Sequence, residues 1–359
     1  MAQALPEPLH RILDLARWAP SGDNTQPWRF EILGDAHVLV HGLDTRDHVV
    51  YDLDGHASQL AVGALLETLA IAATSEGRRA RIRRRPDTPD DYLLIDVEFE
   101  PVARLPDPLL PFIEKRVVQR RPMSTRPLTP AQRQALEDAL PEGYRVLWFA
   151  SLGERWQVAR LLFDNAKIRL TIPEAFEVHR AVIEWGARYS ADRIPDQAVG
   201  VDPLTARLMR WAMADWERIA LLNRWFLGDL PPRIQLDLLP GLACAAHFTL
   251  LAPTALRTVD DYLDAGRAMQ RFWLTAAGLG LYVQPEMTPV IFSRYHRDRR
   301  RFTGTAGMDV KVDDLNRRLT GVLAGECVDR LFFMGRIGDG PPPKARSVRR
   351  PLEQLLVAG

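Results

Sequence analysis

The stretch RWAPSGDNTQPWRF, Arg17 to Phe30, packs a Pro-Ser-Gly-Asp-Asn turn, the Gln26 amide and two tryptophans into fourteen positions. Upstream, Leu9, Ile12, Leu13 and Ala16 recur at i, i+3, i+4 and i+7, the stripe of an amphipathic helix that Pro20 ends. Downstream, PWRFEI and HVLVHGL read as two strands around a Gly34-Asp35 turn. A turn so placed exposes backbone N–H groups, a hydroxyl and an amide that can meet the carbonyls and ring nitrogens of a planar heterocycle. Trp28 adds an aromatic face. The same residues also suit a self-contained turn, with Ser21, Asp23 and Asn24 serving their own backbone and Trp28 packed in the core.

Composition narrows the choice. The chain has 359 residues, 47% hydrophobic and 26% charged, which is the profile of a soluble globular protein with a substantial core. Lysine and arginine number 47 against 46 aspartates and glutamates, for a net charge of +1. That balance argues against nucleic acid as a partner. Cys244 and Cys327 fit no C-x-x-C or zinc spacing, and the start MAQALPEPLHRIL has no secretory pattern, so a reducing cytoplasm is expected. The apolar GLACAAHFTLLAPTAL is short for a membrane span and reads as a buried element, so no membrane is expected. A P-loop, a complete dinucleotide fingerprint, a metal-binding histidine spacing and a G-x-S-x-G elbow are all missing. Difficult chemistry, if any, would fall to an organic cofactor.

Further along, residues 58–74 read as a core helix and 92–100 as a strand, followed by a Pro-rich linker at 101–111. Thr129 and Pro130 open a helix in TPAQRQALEDAL. YRVLWFA reads as a strand and 152–239 as mostly helical, with Trp211, Trp216 and Trp225 either forming a lid over an aromatic substrate or packing between helices. A strand at 245–251, a helix at 258–277 and a strand-like LYVQPEMTPVIF complete the pattern. GHASQ at Gly55 and GRAMQ at Gly266 share G-x-A-x-Q, each read as opening an apolar helix, which suggests two related halves around one core. GRRARIRRR at 77–85 reads as a solvated edge strand, with the extra phosphate of NADPH as the rival reading.

Four stretches together resemble the FMN-dependent nitroreductase superfamily. ARWAPSGDNTQPWRF is similar to its A-P-S-x-x-N-x-Q-P-W signature, and RRPMSTRPLTPAQRQAL to its R-R-S-x-R segment. AAGLGLYVQPEMTP resembles the turn that faces the flavin near N5, and RIGDGPPPKARSVRRPLEQLL the closing basic cluster. The turn lies in the first half and the other three in the second, whereas family subunits carry the Arg segment first and borrow the turn from a dimer partner. This plan resembles the Acg-type branch, where NTQPWRFEI and DTRDHVVYDLDGHASQLAVGALL also fit.

The resemblance implies an α+β fold, a central mostly antiparallel sheet flanked by helices, with two halves imitating the family dimer. Residues 1–105 would form the first half and 106–359 the second, with a helical lid inserted at about 165–240. It implies an FMN-dependent NAD(P)H oxidoreductase passing hydride through flavin N5 to a nitroaromatic or quinone, as a pseudo-dimeric monomer or a homodimer, with no catalytic side chain and no metal. Pro20, Ser21, Asn24 and Gln26 would grip the ring, and Pro285, Glu286 and Met287 would face it. Arg121, Ser124 and Arg126, with Arg346 and Arg349, would hold the phosphate, an extra residue in RRPMSTR leaving Arg120 as the alternative to Arg121. Because some Acg-type members have lost the flavin, a flavin-free protein that binds a small molecule is the alternative.

Overall fold

The structure is a computed structural model describing residues 6–103 and 105–357. The expected first helix forms as α1 (Glu7–Ala16), and Leu9, Ile12, Leu13 and Ala16 are all buried on one face. After the turn come β1 (Trp28–Gly34) and β2 (His37–Leu43), paired antiparallel from Trp28 opposite Gly42. The core helix is α2 (His56–Ala73), and β3 (Arg78–Arg84) and β4 (Tyr92–Pro101) close the first sheet in the order β1-β2-β4-β3. β3 is an edge strand, its side chains alternating between exposed and half-buried, as the run of arginines requires.

The second part repeats this plan with insertions. α3 (Pro130–Asp138) begins with a capping box in which Thr129 and Gln132 bond reciprocally, and β5 (Arg145–Phe149) follows. Then come α4 (Leu152–Thr171), α5 (Pro173–Val182), α6 (Pro203–Ala212), α7 (Trp216–Trp225) and short helical turns from 230 to 242. β6 (Ala246–Leu251), α8 (Val259–Gly278), β7 (Tyr282–Pro285), α9 (Thr288–Arg297), α10 (Met308–Val322) and β8 (Leu331–Gly338) complete it. The second sheet runs β5-β6-β8-β7, antiparallel throughout, so each sheet holds two strands before its central helix and two after it, in the same spatial order. The fold class is α+β. LYVQPEMTPVIF is not one strand: β7 ends at Pro285 and α9 starts at Thr288, with Pro289 at a first-turn position where its missing N–H does no harm.

α2 and α8 cross at their glycines. A Cβ on Gly63 would lie 2.1 Å from the Leu263 carbonyl oxygen, and one on Gly266 would lie 2.2 Å from that of Leu60. The contact is reciprocal, residue for residue, and only hydrogen at both positions allows it. Glu67 bonds Arg267 (3.0 Å) and Arg271 (2.9 Å) beside the crossing, and Gln270 Nε2 donates to Thr68 Oγ1 (2.9 Å). GHASQ does open α2, but GRAMQ lies in the middle of α8, so Gly266 answers Gly63 and not Gly55. α2 is long and apolar enough to cross a membrane by composition, but 89% of its most apolar window is buried within the protein.

One apolar core joins both parts: Trp28, Phe30, Val40, Leu65 and Ile95 pack with Leu263, Leu274, Leu352 and Leu355. The last residues cross back to the first sheet, where Phe30 N–H donates to Leu355 O and Val357 N–H to Phe30 O, both at 2.8 Å. The segment 44–59 reaches the other way. Asp54 holds the buried Arg294 guanidinium (2.6 and 3.1 Å), Tyr295 Oη accepts from Leu53 N–H (2.8 Å), and Tyr51 Oη bonds His179 (2.9 Å).

Candidate functional site

The turn is strained. Asp23, Asn24 and Gln26 hold φ of +49°, +63° and +51°, a region that costs non-glycine residues about 1–3 kcal/mol each and persists only where the surroundings enforce it. Ser21 Oγ accepts the Gln26 N–H (3.0 Å) and closes the turn locally. The two amides look outward instead. Asn24 Nδ2 donates to the carbonyls of Val348 (3.2 Å) and Arg193 (3.3 Å), and Gln26 Nε2 to those of Asn24 (3.0 Å) and Ala191 (2.9 Å). Gln26 Oε1 accepts from Arg350 N–H (3.0 Å), while the buried Asn24 Oδ1 has no partner. Pro20 directly follows the buried Ala19. Trp28 is fully buried in the core, so it offers no ring face to a ligand.

Three arginines converge at the head of this turn. Arg116 donates to the Trp18 carbonyl (3.0 Å) and lies over the Trp273 ring (4.6 Å). Arg349 donates to the carbonyls of Ala19 (3.0 Å) and Trp18 (3.4 Å). Arg346 stacks on the Trp18 ring (5.1 Å) and donates to the carbonyls of Glu114 (2.9 Å) and Arg116 (3.3 Å). Arg116 and Arg349 are buried, and none of the three is ion-paired among the described residues. Burial, reinforced by Arg349 and Arg346, holds Arg116 well below the ordinary guanidinium range. Arg349 is pushed down to about 9 by burial, with Arg346 and Arg17 adding to it. The Nε atoms of Arg116 and Arg346 have no partner. Convergent buried guanidiniums without carboxylates fit a phosphate dianion, which would supply the missing charge and accept bidentate bonds.

The remaining phosphate candidates lie apart from this cluster. Arg126 is exposed and ion-paired with Asp339, and Ser124 Oγ accepts from the Arg126 N–H (3.1 Å). Arg121 donates to the Gln197 carbonyl (3.1 Å) and Arg120 to that of Ala198 (3.3 Å), so both arginines hold the inserted segment. Arg116, upstream of the motif, was missed because KRVVQ breaks the R-R-S-x-R spacing.

At the third stretch, Pro285 pairs with Gly335 at the end of β7, and Glu286 N–H donates to Met334 O (2.8 Å). The buried Glu286 carboxylate binds His247 Nδ1 (2.7 Å) and Arg336 Nη1 (2.8 Å), and is held low by them against the effect of burial. His247 Nε2 faces the Gly241 carbonyl (2.8 Å). Burial alone would depress the imidazole, but the Glu286 carboxylate outweighs it and raises His247 to about 10. Both ring nitrogens therefore donate, and Glu286 is a structural anion whose carboxylate is fully engaged. Met287 precedes α9, its sulfur accepting from the Met334 N–H (3.4 Å).

Above the turn lies the inserted segment. Residues 189–190 pair in parallel with Arg346–Ser347 of the tail, and Ile183–Glu184 with Ile194–Pro195. The inserted segment thus packs against both the turn and the Arg346–Ser347 stretch of the tail.

Among curated proteins, the chain is 32% identical over 191 residues to a Mycobacterium tuberculosis protein provisionally named an NAD(P)H nitroreductase, covering 52% of this chain and 53% of that one. It is also 39% identical over 91 residues to an uncharacterized protein of the same organism, covering 24% of this chain and 26% of the other. The chain spans about half the length of the first of these curated relatives and about a quarter of the second. No family profile matches it. Similar solved structures include a nitroreductase-like family protein from Bacillus cereus (12% identity, TM-score 0.35, 70% of this chain and 96% of that one). Another is the FMN-dependent nitroreductase NfnB from Mycobacterium smegmatis in complex with NADPH (13% identity, TM-score 0.36, 69% and 96%). Overlaps this slight carry no functional weight.

Proposed function

We propose that this chain is an FMN-dependent NAD(P)H oxidoreductase of nitroreductase type, of the duplicated Acg-type plan. Its acceptor would be an electron-poor small molecule, a nitroaromatic or a quinone. One composite site would lie between two related halves, 1–105 and 106–359. The repeated strand order and the reciprocal Gly63–Gly266 crossing support the duplication. The observation that carries the reading is the unbalanced trio Arg116, Arg346 and Arg349 beside a strained turn.

When bound, FMN would supply hydride transfer between NAD(P)H and the acceptor. The chain's own part is to hold it. Arg116, Arg346 and Arg349 would neutralise the phosphate, and the half-buried, strained turn would bring Asn24 and Gln26 to the ring. For that, both amides must exchange the carbonyls of Arg193 and Ala191 for the ligand, so the lid lifts as the ring enters and excludes water once seated. The closing Pro285–Met287 stretch would be kept rigid by the His247–Glu286–Arg336 network.

The same lid contacts favour a second reading, a flavin-free protein in which the carbonyls of Ala191 and Arg193 permanently occupy the ring site. Visible absorption of the purified chain, before and after adding FMN, separates the two. Flavin bands that NADH or NADPH bleaches support the oxidoreductase. A colourless protein that takes up no FMN supports the flavin-free reading.

A further inference from the structure

Asp23 is the one charged residue of the turn that gripping the ring leaves unused. Its backbone holds φ of +49°, and its side chain is half-buried. The carboxylate has no hydrogen-bond or ion-pair partner among the described residues. A strained backbone that carries an unpaired acid is the kind of feature that gathers at active sites.

Charges from several elements surround this acid. Burial pushes Arg120 down to about 10, with Asp23 opposing the shift and Arg336 adding to it. Arg336 in turn binds Glu286, the residue before Met287. Burial raises the Tyr51 phenol, and the charges that act on it are Arg169, Asp23 and Asp237. Asp237 is raised by burial against Arg169 and Arg336, with Glu286 also acting on it. Asp23 therefore shares one interior space with the Glu286–Met287 stretch, bounded by Arg169 and Asp237 of the inserted segment.

The other titratable groups there are engaged. Asp237 takes both its oxygens to Arg169 (2.9 and 2.7 Å), and Glu286 binds His247 and Arg336. Tyr51 Oη is held by His179 Nε2 (2.9 Å), and burial, with Arg169 adding to it, pushes His179 down to about 3 and keeps it neutral. Only Asp23 is left free. Burial pushes its carboxyl up by more than Arg120 draws it down, so it keeps a proton to higher pH than an ordinary aspartate.

We propose that Asp23 is the proton donor to an acceptor that needs a proton with its hydride, such as a quinone. This rests on the oxidoreductase reading. NAD(P)H supplies the hydride, whose two electrons turn the quinone into a hydroquinone monoanion. Asp23 gives its carboxyl proton to that anionic oxygen, one O–H bond breaking as the other forms. Arg120 steadies the carboxylate, which recovers a proton from water.

The test uses Asp23→Asn, which keeps the shape and suits a left-handed turn. Flavin fluorescence should give it the parent's FMN affinity within about twofold. Mixed with duroquinone in a stopped-flow instrument, the reduced variant should reoxidise about a hundredfold more slowly than the parent. Ferricyanide, which takes electrons without a proton, should reoxidise both alike. The parent's duroquinone rate should fall as pH rises past the raised carboxyl, and the variant should lack that fall. Thermal melts without FMN read the same group. An acid raised by burial stabilises the fold below its unfolded value and loses that contribution as pH rises, so the parent should weaken relative to the variant above about pH 4. Equal duroquinone rates, an equal slowing with ferricyanide, or melts without that divergence overturn the proposal and leave the oxidoreductase reading standing. A parent that takes up no FMN overturns both.

Discussion

Arg116, Arg346 and Arg349 at the head of the turn and His247, Glu286 and Arg336 under the β7–α9 junction are both buried groups of positive charge. They differ in one respect. Glu286 pairs with both cations of the second group, so His247 stays protonated with its pKa raised, and the cluster stabilises the fold. No carboxylate pairs with the first group among the described residues, and burial pushes Arg116 and Arg349 down, with their neighbouring arginines adding to it. A paired cluster explains itself as structure. Buried cations without a carboxylate are the basis of the proposed phosphate site.

The largest expected effect breaks the paired cluster. His247→Leu leaves one oxygen of the buried Glu286 without a partner and the Gly241 carbonyl with only the weak Cys244 thiol donor, and should cost about 3–5 kcal/mol in chemical denaturation. Because the folded pKa of His247 is raised, its contribution is complete below about pH 6.5, the unfolded value. That contribution is lost as pH rises through about 10, and the variant should lack this decline.

Gly63→Ala comes next, at about 3 kcal/mol, because its Cβ meets backbone at 2.1 Å. It also sharpens the contrast: fold stability falls, yet FMN should still bind in preference to riboflavin once the protein is folded. Arg349→Met should do the reverse. Its melting temperature should hold or rise, while FMN affinity falls by about tenfold to a hundredfold. Smallest of all is Arg126→Gln, which removes an exposed pair with Asp339 and should leave FMN affinity within about twofold.

Much of this was legible in the sequence. The period-3.6 stripe marked α1, an apolar run of helical length marked α2, and the Gly34-Asp35 turn marked the hairpin β1–β2. The turn and the tail arginines were singled out through their resemblance to a family signature, because alone each also suits a self-contained turn or a solvated basic end. Arg116 was not, because its role depends on Trp18 and Trp273, about a hundred residues before it and more than a hundred and fifty after it. The split of LYVQPEMTPVIF at Pro285 was hidden because a short strand and a helix start share its apolar residues. Nor could local pattern show that the lid's carbonyls at 191 and 193 would meet Asn24 and Gln26.

The most direct test of the unbalanced cluster is a parallel equilibrium titration of FMN and riboflavin, which differ by the phosphate, into the parent and into Arg116→Met with Arg349→Met, followed by flavin fluorescence. A phosphate site predicts that the parent prefers FMN and that the double variant binds both alike. Equal binding of the two by the parent, or a preference that survives in the variant, would contradict it.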